Sequence, residues 1–155
     1  MTAHEINIDI KPPYRRRLTQ KWLREVVAAT LSAQKIDRPV ELSLIITGDE
    51  EVHKLNREYR GIDATTDVIS FALSENTDGT EFITPPDQIS RLGEVIISYP
   101  QAVRQAKENK QTIKAELAWL VVHGLLHLLG YDHQDDKSET VMRKREDKIL
   151  KEVDL

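Results

Sequence analysis

The sequence predicts an α+β fold: a small mixed four-stranded sheet with surrounding helices and one buried, metal-binding helix. Three observations predict it. Four short runs rich in β-branched residues and leucine are interspersed with segments of helical periodicity. One helical segment, about 112–129, is apolar over nearly its whole circumference and must be packed on most sides. The same segment carries His123 and His127, one helical turn apart. A chain of 155 residues suits a single catalytic domain, 1–155, with little room for a second core.

Ile6, Ile8 and Ile10 alternate with polar residues as in a half-buried strand, which Pro12-Pro13 ends. Thr19 is placed to cap a helix in which Trp22, Leu23, Val26, Val27, Thr30 and Leu31 form one stripe. A second strand is expected over 40–46. Thr47 followed by Glu50 reads as a capping box opening a helix, with Val52, Leu55 and Tyr59 on one face and Gly61 at its end. Strands are expected over 67–73 and 92–98. The polar stretch between them, with Asp78-Gly79 and Pro85-Pro86, reads as a hairpin connection or mobile loop.

Ser98, Pro100 and Gln101 start a helix reaching about Asn109. The long helix then runs over about 112–129, with Gly130 as its C-terminal glycine. A charged final helix is expected over about 138–153, with Val141, Met142, Ile149 and Val153 facing inward.

Composition narrows the chemistry. The absence of cysteine removes disulfides, thiolate nucleophiles and Cys-rich zinc sites, so a metal must be held by His and carboxylate. With 22 basic against 26 acidic residues the formal charge is −4, which argues against a broad nucleic-acid-binding coat but permits a local basic patch. Lys11, Arg15, Arg16, Arg17, Lys21 and Arg24 make such a cluster, readable equally as a solvated helix start. The apolar run 117–131 is too short for a membrane span, and residues 1–10 lack the pattern of a secretory signal. The expected location is cytoplasmic, with no membrane partner.

His123, His127 and His133 fall within His-Gly-Leu-Leu-His-Leu-Leu-Gly-Tyr-Asp-His. The first two share a helix face, and Gly130 lets the chain turn back so that His133 can approach the same point. Three imidazoles leave a fourth tetrahedral position of zinc open, the mark of a catalytic rather than a structural site. The spacing matches the metzincin pattern His-Glu-x-x-His-x-x-Gly-x-x-His, except that Gly124 stands where the protease has its general-base Glu. A residue this small either opens space beside the metal or lets another element pack close. Asp132 reads as an orienting carboxylate or a solvated turn residue. Glu116 reads as a helix-face charge or a support for a histidine from below. His4 and His53 read as surface residues.

The segment Asn-Arg-Glu-Tyr-Arg-Gly-Ile-Asp-Ala-Thr-Thr-Asp-Val-Ile-Ser-Phe, 56–71, ends a helix and enters a strand. Arg60 is either a phosphate clamp or a cation at the helix C-terminus, while Thr65, Thr66 and Ser70 offer hydroxyls. Together with Leu-Gly-Glu-Val-Ile-Ile at 92–97 and the histidine motif, this segment closely resembles the YbeY family of bacterial endoribonucleases. The resemblance runs in order from about Glu41 to the last helix.

The resemblance implies a small sheet with helices around it and a zincin-like metal site. It implies a zinc-dependent, single-strand-specific endoribonuclease that matures the 3′ end of the small-subunit ribosomal RNA and serves ribosome quality control. Its partners would be single-stranded RNA, a ribosomal RNA precursor, ribosomal particles and delivery factors. The family's three metal ligands, for one Zn(2+) per chain, map onto His123, His127 and His133, and its functionally important arginine onto Arg60. Arg60 and His123 are therefore the candidate catalytic residues. The alternatives are a metallopeptidase-like hydrolase, opposed by Gly124, and a ribosome-associated factor whose zinc is structural.

Overall fold

The alternation of Ile6, Ile8 and Ile10 produces β1 (Glu5–Ile10), and the Val40, Leu42, Leu44, Ile46 alternation produces β2 (Val40–Thr47). The computed structural model describes residues 4–73, 89–131 and 136–153. Its sheet has the order β1-β2-β4-β3, with β3 (Val68–Ala72) and β4 (Ser90–Ser98) completing it. β1, β2 and β4 run parallel, whereas β3 lies antiparallel on β4 at the edge, in the register Val68↔Ile97 to Ala72↔Gly93. The sheet is therefore mixed, as expected, and β3 and β4 are hairpin partners. Residues 74–88, which join them, lie outside the described residues.

Among the described residues five α-helices surround the sheet: α1 (Gln20–Ala33), α2 (Asp49–Arg60), α3 (Tyr99–Glu108), α4 (Ile113–Leu128) and α5 (Asp136–Leu150). Two begin on the caps read from the sequence, and a third begins at the expected start of the long helix. Thr19 accepts from the Trp22 N–H, Ser98 from Gln101 and Thr112 from Ala115. The Thr47 capping box fails. Thr47 is the last residue of β2, Gly48 occupies the cap of α2, and the Thr47 hydroxyl donates instead to Glu51 Oε2 at 2.6 Å. The β-run won over the capping pattern because Thr47 still pairs with Ser98 in the ladder.

The main core lies between one sheet face and α1, α4 and α5, with Leu23, Val27, Leu44, Leu120, Leu125 and Met142 among its buried members. On the other face α2 covers a small cluster of Val52, Ile69 and Ile96. α4 touches α1, α3, α5, β3 and β4, so its all-round apolar surface is satisfied as the sequence required. Two inward assignments are corrected. Tyr59 is exposed, beyond the short α2 stripe and edge-on to Phe71, and Val141 is exposed because Met142, Glu146 and Ile149 form the inner row of α5. Among the described residues no helix is long and apolar enough to cross a membrane.

Candidate functional site

Residues 119, 123 and 127 recur every four positions, so α4 lays their rings along one face. The Trp119 ring stacks on His123 with centroids 4.8 Å apart and planes at 27°. His123 meets His127 edge-on, at 4.6 Å between centroids, and the two Nε2 atoms are 3.2 Å apart. On its far side, His123 Nδ1 stands 2.7 Å from Glu146 Oε2 of α5.

The helix stops where the chain must turn back. Leu129 caps α4, the Gly130 N–H reaches His127 O at 3.0 Å and the Tyr131 N–H reaches Leu126 O at 2.9 Å. With Gly130 at φ +100° this is a Schellman ending, which a side-chain-bearing residue would strain. The Tyr131 hydroxyl accepts from Gln34 Nε2 at 2.8 Å, fixing the exit from the helix to α1. Asp132 and His133 follow immediately, outside the described residues.

These side chains open onto a cleft of about 520 Å³ whose lining includes Arg60, Asp67, Ser70, His123, His127 and Tyr131. β3 forms its wall, because Val68, Ser70 and Ala72 point one way while Ile69 and Phe71 point to the α2 side. Gly61, left-handed at φ +70°, ends α2 so that Arg60 is its last residue. Arg60 is exposed and has no hydrogen-bond or ion-pair partner among the described residues. It can thus sit at a helix C-terminus and still present its guanidinium to the cleft. Asp67 is held by Val68 N–H at 2.8 Å and Gln105 Nε2 at 3.1 Å, and Ser70 Oγ donates to Gly124 O at 3.1 Å. Thr66 also lines the cleft, whereas Thr65 turns away to Asp49 O at 3.3 Å.

The donor set fits zinc. Two imidazoles bound at about 2.0–2.1 Å to a tetrahedral ion stand about 3.3–3.4 Å apart, close to the observed Nε2 separation. Among the described residues no group of three or more His, Asp or Glu is placed to hold a metal, and His133, the third expected ligand, lies outside them. Chemically, the cleft offers two convergent imidazoles beside an unpaired guanidinium, an arrangement suited to a cation and an anion held together.

The family model described as Endoribonuclease YbeY matches residues 6–154. The Endoribonuclease YbeY of Dehalococcoides mccartyi strain CBDB1 is 46% identical, covering 96% of this chain and 93% of its own. That of Roseiflexus sp. strain RS-1 is 42% identical, covering 97% of this chain and 93% of its own. The chain belongs to the YbeY endoribonuclease family. The solution structure of TM1509 from Thermotoga maritima superposes with a TM-score of 0.61 at 27% identity, covering 97% of this chain and 88% of that one. The YbeY family is one of endoribonucleases, so the peptidase-like histidine spacing belongs here to a nuclease family.

Gly124 shows why the peptidase base is missing from this YbeY chain. A Cβ there would lie 2.7 Å from Val95 Cγ1 and 3.3 Å from Ser70 Oγ and Val68 Cγ2. The position is filled by β3 and β4, so of the two readings of a small residue the close approach is the observed one. Glu116 is neither a helix-face charge nor a histidine support. It is 1% exposed and accepts from Gln105 Nε2 at 2.9 Å and from Gln111 Nε2.

His4 is half-buried and not simply on the surface. Its Nδ1 accepts from Val40 N–H at 3.2 Å, and burial lowers its pKa. His53 pairs with Asp63 at 2.7 Å, holding that exposed carboxyl below its usual range. The basic cluster divides. Arg15 and Arg24 donate to Ile10 O at 2.9 Å and Ile6 O at 2.6 Å, and Lys11 pairs with Asp9 at 3.0 Å, while Arg16, Arg17 and Lys21 are exposed.

The residue that the sequence reading missed is Glu146. Its signal was present: Met142, Glu146, Ile149 and Val153 follow i, i+4, i+7, i+11, which places an acid on the buried stripe of α5.

Proposed function

We propose that this chain is a zinc-dependent, single-strand-specific endoribonuclease that matures the 3′ end of the small-subunit ribosomal RNA and serves ribosome quality control in the cytoplasm. The observation that carries the reading is the cleft itself, where the convergent Nε2 atoms of His123 and His127 face the same space as Arg60. His123, His127 and His133 would hold the metal. Zinc, when bound, supplies water acidified to a pKa of about 7 and polarises a phosphoryl oxygen.

The chain's own residues do the rest. Arg60 grips the scissile phosphate through its fork and offsets the charge that builds on it during displacement. Asp67 and Ser70 are already engaged by protein donors and acceptors, so they shape the wall and leave the anion to Arg60. A net charge of −4 fits RNA contact confined to such a groove, with Arg16, Arg17 and Lys21 as a further contact for the strand. Ribosomal particles and delivery factors would bring the substrate to it.

The test pairs metal analysis of the purified chain with cleavage of a single-stranded RNA and its duplex form, with and without chelator. Cleavage confined to the single strand, lost with chelator and restored by zinc, is the expected result. Undiminished cleavage in chelator overturns the zinc requirement. Zinc-loaded protein that cleaves no RNA but melts lower without metal favours a ribosome-associated factor with a structural zinc. Product end groups distinguish attack by water from attack by the ribose 2′-hydroxyl.

A further inference from the structure

His123 is held on three sides, by Trp119 against its face, His127 at Nε2 and Glu146 at Nδ1. The third contact crosses from α5 and is the costliest to build. Glu146 is 2% exposed on the inner row of α5, and a buried carboxylate is strongly unfavourable unless a partner compensates it. Among the described residues that partner is the His123 ring alone. A carboxylate can only accept, so across the 2.7 Å contact Nδ1 is the donor, and in a neutral imidazole that places the lone pair on Nε2.

We propose that Glu146 is a positioning residue for His123: it keeps the ring proton on Nδ1 and the Nε2 lone pair turned into the cleft, where the metal would be held. This rests on the zinc reading above. The competing carboxylate is committed elsewhere, because Glu116 is occupied by Gln105 and Gln111. A merely structural Glu146 would tie α5 to α4 with no bearing on which nitrogen carries the proton.

The test uses the full chain as wild type, Glu146→Gln and Glu146→Leu. Three quantities are read: the zinc dissociation constant by chelator competition, the ring 15N shifts of His123 in metal-free protein, and thermal melting. The expected wild-type ring is protonated on Nδ1. Glu146→Leu moves proton density to Nε2 and weakens zinc binding by about 10- to 100-fold, the usual cost of removing a partner behind a ligand. Glu146→Gln, which keeps an acceptor oxygen, loses less.

A wild-type ring protonated on Nε2, or a folded Leu variant with wild-type zinc affinity, overturns the role. If the Leu variant does not fold, the Gln variant decides, and unchanged affinity there overturns it. A wild-type chain that takes up no zinc defeats the zinc centre itself, and this role with it. Normal zinc uptake with the wrong tautomer defeats Glu146 alone.

Discussion

Helix α4 meets a buried carboxylate at each end, and the two differ in what faces them. Near its start, Glu116 accepts from the neutral amides of Gln105 and Gln111, and the Gln105 amide continues to Asp67 while its oxygen accepts from Gln101 at 3.2 Å. Both Glu116 oxygens are taken by protein donors. Near its end, Glu146 meets an imidazole whose second nitrogen opens onto the cleft. Burial of an acid is common to both, so burial does not mark the functional one. The mark is a partner that itself lines the cleft.

Breaking the cleft end should have the largest effect on activity. His127→Ala is expected to bring RNA cleavage to background and abolish zinc retention, while the fold survives; persistent cleavage in a gel assay would contradict it. Arg60→Ala should slow cleavage by about 10²- to 10³-fold, the usual cost of losing one transition-state charge partner. Its thermal midpoint should hold, because Arg60 is exposed and unpaired among the described residues. Arg60→Lys keeps the charge without the fork, so only partial recovery is expected.

Breaking the amide end should cost stability and spare the metal. Glu116→Ala takes the shared acceptor from the half-buried Gln105 amide and the exposed Gln111 amide and empties a buried site, at about 1–3 kcal/mol in all. At about 2–4 °C per kcal/mol for a chain this size, the midpoint should fall by several degrees with zinc affinity unchanged. A variant that lost zinc without losing stability would erase the contrast between the two ends. Gly124→Ala sits between them. Overpacking against Val95 costs about 1–3 kcal/mol, against about 0.5–1 kcal/mol gained from alanine in a helix. Net destabilisation of about 1 kcal/mol is expected in a denaturant melt, together with slower cleavage as α4 is pushed off β3.

Local signals carried most of the fold. Apolar alternation, the Thr19 and Ser98 caps and the Gly130 ending are written in residues close together in sequence, and the structure places them accordingly. Strand order was not legible, since pairing β4 between β2 and β3 depends on contacts across the chain. The histidine pair was legible because i, i+4 spacing is itself a geometry. The carboxylate behind it was sought next door in sequence, at Asp132 and Glu116, whereas it arrives from 23 residues away on another helix. Thr47 was misread for the converse reason: its capping pattern was local, but the ladder to Ser98 was not.

A third acid extends the contrast to the surface. Asp49, at the start of α2, accepts from Ser98 Oγ at 2.7 Å and from Arg104 Nη2 at 2.8 Å. Burial pushes its carboxyl pKa up, but the hydrogen bonds from Ser98, Arg104 and Thr65 and the charge of Arg104 outweigh it, leaving the value below the ordinary 3.8. A depressed folded pKa stabilises the fold fully above the unfolded value, and that stabilisation fades as pH falls through the folded one. Asp49→Asn should therefore melt slightly lower than wild type near neutral pH, by at most about 1 kcal/mol for a pair this exposed. The gap should close below about pH 4, where wild-type Asp49 takes up its proton. Melting curves of both proteins from neutral to strongly acidic pH test this, and a gap that stays constant or widens on acidification would show that Asp49, like Glu116, acts through shape and hydrogen bonding instead of charge.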